Sequence, residues 1–214
     1  MVRAIFNTPK TTKVDNGHGV EVMFLHGLEG SSSGTKAKHL SDRWGAICPP
    51  LRTVDLIQKR DECAGNWNLV EQNEKDEGMM MAYEDAVEAV RYANPDVIVG
   101  SSMGAALLFR LIAEEKFTGT AVFCTPAIKN LLGEETIKTG LEKLREQPNV
   151  WLLGELDTVV SNKHNMSLAK EAGGSVVFSP EDGHRLEYAV SAGLLDAVVL
   201  TGFELYAENE ANTI

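Results

Sequence analysis

Apolar residues fall into short continuous runs separated by longer stretches in which they recur every three or four positions. The short runs are VEVMFLH (20–26), GAIC (45–48), DVIVGS (96–101), TAVFCT (120–125), VWLLGE (150–155) and SVVFS (175–179). Most lack polar alternation, the pattern of strands buried on both faces. Helical spacing occupies 34–43, 79–93, 103–115, 134–147, 163–172 and 186–207. In MMMAYEDAVEAVRYA (79–93), Met80, Tyr83, Ala86, Val87, Val90 and Ala93 form one stripe, and Asn94 before Pro95 stops the helix.

Strands alternating with helices predict an α/β fold, a mostly parallel central sheet of about six strands with helices on both faces. VRAIFNT (2–8) is expected to add an edge strand. No repeat, low-complexity tract or linker divides the 214 residues, so 1–214 reads as a single domain. Residues 54–78 are long for a plain loop. They either hide a short helix or border a site as an active-site loop or small lid.

Charge narrows the range of partners. A net charge of −11 disfavours nucleic acid and anionic membrane surfaces, which need clustered Lys and Arg. Cys48, Cys63 and Cys124 have no metal-site spacing and read as reduced, small hydrophobes. No metal or cofactor is expected. The first residues lack an apolar signal region and no run approaches a membrane span, which predicts a soluble cytoplasmic protein acting on a small molecule.

The chemistry centres on VIVGSSMGAALLFRL (97–111), where a strand passes into a helix. A serine that attacks carbonyls must stand clear of the sheet, near a base and near donors for the developing oxyanion. Gly100 and Gly104 flank Ser102 in a G-x-S-x-G turn, whose glycines let strand and helix approach closely. The Met103 N–H, at the helix start, is placed to meet an oxyanion. The plain alternative is a glycine-rich helix start capped by serine. Position between a strong strand and a strong helix favours the elbow.

An elbow serine calls for an acid after a later strand and a histidine after the next. Asp157 follows VWLLGE and His184 follows SVVFS, in that order. Asp182 is closer to His184 in sequence but reads as a turn former or backup acid. His18, His39 and His164 lack such placement and read as structural or solvated. After the first strong strand, His26 and Gly27 precede Leu28, whose N–H is the expected second oxyanion donor. His26 reads as a brace for this loop.

With His26, Gly27, Leu28, Ser33 and Lys36 in the first loop, Gly100 to Gly104 at the elbow, and Gly183, His184, Arg185, Leu186 near the end, the chain resembles the α/β-hydrolases. It is similar to compact bacterial serine esterases without a large cap domain, over about residues 20 to 200. The resemblance implies a carboxylesterase or thioesterase working through an acyl-enzyme. Ser102 would be the nucleophile, His184 the base and then acid, Asp157 the residue orienting it, and Leu28 and Met103 the oxyanion hole. Each oxyanion donor would lower the barrier by about 2.7 to 4 kcal/mol.

Glu29, next to Leu28, brings negative charge to the oxyanion loop unless its side chain turns away. The interval from Ser102 to Asp157 is too short for a large inserted cap, so the cleft is expected to be open, or covered only by 54–78. Arg52, Asp55 and Trp67 are the candidate substrate rim. Other classes stay open on sequence alone: a non-enzymatic ligand receptor or scaffold on this fold, or a serine hydrolase of amide or carbon–carbon bonds.

Overall fold

The computed structural model describes residues 19–213. VRAIFNT and His18 lie outside them. Among the described residues five strands form one parallel sheet in the order β1 (Val22–Leu25), β2 (Val97–Ser101), β3 (Thr120–Cys124), β4 (Asn149–Gly154) and β5 (Ser175–Ser179). Every residue of β1 to β4 is buried, which is why these strands read as unbroken apolar runs.

Residues 45–48 do not make a sixth strand. One bridge, Met23 to Ile47, joins them to the outer side of β1. Gly45, left-handed at φ 67°, is their first residue and caps α1, and Pro49 and Pro50 follow directly, so the segment is too short to extend its pairing. The chain thus moves outward from β1 to Ile47, returns to β2, and then proceeds the other way across the sheet. This reversal between β1 and β2 opens a crevice at the carboxyl ends of the strands.

Helices cover both faces. Helices α1 (Thr35–Trp44), α8 (Glu187–Ser191) and α9 (Leu194–Thr213) pack on one through Leu40, Ala189 and Val199. On the other lie α2 (Val54–Glu62), α3 (Gln72–Ala93), α4 (Met103–Ala113), α5 (Ile128–Leu131), α6 (Glu134–Leu144) and α7 (Asn162–Glu171). Helix α4 is buried on almost every side, as an all-apolar helix must be. Behind it, the rings of Phe123 and Trp151 lie 4.5 Å apart.

Three expectations about the helices change. The single helix expected over 186–207 is broken by Gly193 at φ 77°, which separates α8 from α9. Helix α3 begins at Gln72, where Glu71 and Glu74 form a capping box. Its core residue is Met79 rather than Met80, which is 43% exposed. Residues 54–78 contain α2, a short 3₁₀ turn (Trp67–Leu69) and the start of α3. Among the described residues no helix is long and apolar enough to cross a membrane.

Candidate active site

Strand β2 ends in a sharp turn at Ser102, which has φ 54° and ψ −111°. A serine in this sparsely populated region is strained, and the surroundings must hold it there. Its N–H donates to the Cys124 carbonyl at 2.9 Å, and its own carbonyl accepts from Ala105, Ala106 and Ala127. The flanking glycines are steric necessities. A Cβ on Gly100 would stand 2.6 Å from the Ala105 Cα, and one on Gly104 would overlap the Leu25 carbonyl.

The chain brings Asp157 and His184 to this turn from the ends of β4 and β5. Asp157 Oδ2 lies 2.8 Å from His184 Nδ1, and His184 Nε2 lies 2.8 Å from Ser102 Oγ. A carboxylate only accepts, so Nδ1 carries the proton and Nε2 accepts from the serine hydroxyl. The Asp157 side chain is fully buried, and its Oδ1 accepts from the N–H groups of Val159 at 2.7 Å and Val160 at 3.0 Å. Burial works against its charge, but the bonds from His184, Val160 and Val159 outweigh it and hold the carboxyl below its ordinary range.

The loop that delivers His184 is pinned at two successive carbonyls. Thr125 Oγ1 donates to the His184 carbonyl at 3.1 Å, and Lys36 Nζ donates to the Arg185 carbonyl at 2.6 Å. Asp182 is a local turn residue, and His184 Nδ1 bonds to Asp157 instead. Asp182 accepts from the Ser179 hydroxyl and from the N–H groups of Tyr188 and Ala189, tying β5 to the start of α8.

Ser102, His184, Leu28 and Met103 line a cleft of about 1000 Å³. Neither the Leu28 N–H nor the Met103 N–H has a partner among the described hydrogen bonds. Free backbone N–H groups lining a cleft, one of them at the start of α4, are of the kind that can stabilise negative charge. His26 braces the first loop: Nδ1 donates to the Gly27 carbonyl at 2.8 Å while Nε2 accepts from the Leu51 N–H at 3.3 Å. Burial lowers its pKa and favours the neutral ring, despite the opposing bond to Gly27. Glu29 also lines the cleft, where its carboxylate is paired with Arg60 of α2 at 2.6 Å.

The proposed rim divides. Trp67 lines the cleft, whereas Arg52 and Asp55 do not. Arg52 is drawn to Asp85 of α3, with its backbone N–H and guanidinium bonded to that carboxylate at 2.8 to 3.0 Å. Asp55 faces solvent in the first turn of α2. The charged residues that do line the cleft include Arg60, Arg185 and Glu187, which the sequence reading had not assigned to it. His39 is structural, bonded to Asp196 at 2.9 Å, and His164 is exposed.

The fold has counterparts among solved structures. A Xanthomonas campestris pv. campestris protein assigned to the alpha/beta hydrolase superfamily superposes with a TM-score of 0.55 at 18% identity, over 90% of this chain and 99% of its own. Est1E from Butyrivibrio proteoclasticus, solved with ferulic acid, gives 0.62 at 13% identity over 93% of each chain. The chain has the α/β-hydrolase fold. A thioesterase domain from the curacin biosynthetic pathway shares this hydrolase fold, at a TM-score of 0.52 and 12% identity over 85% of this chain and 92% of that domain. No family model and no curated protein matches the chain by sequence.

Proposed function

We propose that this protein is a serine hydrolase that cleaves a carboxylic ester or thioester through an acyl-enzyme. The observation that carries the reading is the continuous relay from Asp157 through His184 to Ser102, with 2.8 Å at each step, opening into the cleft. The Ser102 oxygen attacks the substrate carbonyl carbon as its proton passes to His184 Nε2. Asp157 keeps the imidazole in the accepting tautomer and stabilises the imidazolium that forms. The carbonyl oxygen becomes negative and is met by the Leu28 and Met103 N–H groups.

Collapse of that intermediate breaks the bond to the leaving group, which takes the proton from Nε2. Water then attacks the acyl-enzyme with Nε2 again accepting a proton, and Ser102 is released with its hydrogen restored. A fluorophosphonate probe should label the protein, and Ser102→Ala should remove labelling and lower kcat for short activated esters by about 10³-fold or more. Ester turnover at the wild-type rate by Ser102→Ala would refute the assignment.

A further inference from the structure

The cleft lies across the sheet's reversal point, and its two ends are built from different materials. Over the face covered by α2 to α7 it is walled by Leu28, Trp67, Met103, Ala127, Leu131 and Val160, all part of or packed against that side's core, and by Arg60 and Asp61 of α2, which are paired with each other. Toward the α1 and α8 side Ser31, Thr35, Lys36, Arg185 and Glu187 line it beside the apolar Ala37 and Val190.

Lys36 is distinctive among the cleft cations. Arg60 is bonded to Glu29 and Asp61, and Arg185 stands 4.0 Å from Glu29. Among the described residues, no carboxylate oxygen lies within 4.0 Å of Lys36 Nζ, and the bond it makes is to the neutral Arg185 carbonyl. Asp182 and Glu187 act on it only from farther away. An ammonium has three donors, so two remain for a ligand.

The chemistry orients a substrate between these ends. His184 Nε2 must reach the leaving-group oxygen to protonate it, so the leaving group lies on the His184 side. The residues that continue from His184, and the lysine bonded to them, form the polar end. We propose, resting on the hydrolase reading above, that the substrate class is an ester with a compact apolar acyl group and a leaving group bearing an oxygen acceptor, hydroxyl or carboxylate, for Lys36. The acyl group sits against Trp67 and Leu131, on the side where the lining charges, Arg60 and Asp61, are paired with each other.

The test compares kcat/KM for the butanoate esters of propanol, glycerol and glycolic acid and for the succinate monoester of propanol, with p-nitrophenyl butanoate alongside. The glycerol or the glycolate ester should exceed the propyl ester by about tenfold, because a site built for a hydrogen bond discriminates against a partner lacking it. Whichever of the two is better identifies the acceptor. The succinate monoester should fall below propyl butanoate by about as much, since it places a charge in the apolar end. Lys36→Met should bring the leaving-group ratio close to one, Lys36→Arg should preserve it, and Trp67→Ser should narrow the acyl preference. Ratios on one enzyme preparation cancel any loss of folded protein. A propyl ester equal to or better than both oxygenated esters, or an unchanged ratio in Lys36→Met, would overturn the inference. If p-nitrophenyl butanoate is cleaved in that case, the hydrolase reading survives alone; if it is not cleaved, both fall.

Discussion

The elbow around Ser102 and the segment from α2 to the 3₁₀ turn border the same cleft, and they are held in place by opposite means. At the elbow, backbone meets backbone: Gly104 abuts the Leu25 carbonyl and Gly100 abuts Ala105, with no side chain able to intervene. The segment across the cleft is held by Trp67 against the core and by an ion pair from Arg60 to Glu29, whose carboxylate is largely exposed. Rigid backbone packing secures Ser102, while the wall facing it rests partly on a contact that water screens.

This contrast can be pressed experimentally. The largest effect is expected where a buried charge orients the base: Asp157→Asn should reduce kcat by about 10²- to 10⁴-fold with a smaller change in KM, as steady-state kinetics would measure. Wild-type kinetics in that variant would place the orienting role elsewhere. The same carboxyl makes a signed prediction for stability. Its folded pKa is lowered, so its contribution is present above the ordinary carboxylate range, near about pH 4, and is lost as pH falls through the folded value. Denaturant melts across this range should show a weaker acid dependence in Asp157→Asn than in the wild type.

Gly104→Ala should cost about 3 kcal/mol or more, read as a lower denaturant midpoint, because its new methyl meets main chain that has no rotamer to give. Arg60→Gln should cost less than about 1 kcal/mol, since it removes a partly exposed pair. Equal losses from these two substitutions would erase the distinction between the two walls.

The same distinction explains what was legible in the sequence. The elbow announces itself because only glycine fits two of its positions, and Asp157 and His184 stand at strand ends in the chain order the fold needs. Strands β1 to β4 are readable because burial on both faces demands continuous apolar runs. The pairings of Arg52 with Asp85, 33 positions away on α3, and of Arg60 with Glu29, 31 positions away, cannot be read from the sequence. Pairings at such separations leave no local pattern. Residues 45–48 have the composition of a strand, but their length between Gly45 and two prolines decided otherwise. The break at Gly193 was hidden because the flanking residues keep a helical character on both sides.

The outermost strand has its own consequence. Ser102 rests on the interior of the sheet, whereas His184 arrives from β5, which among the described residues pairs only with β4 and whose first four residues are only partly covered. Fraying that begins at this border would carry the imidazole off while the inner strands stay assembled. On warming, inactivation would then run ahead of melting.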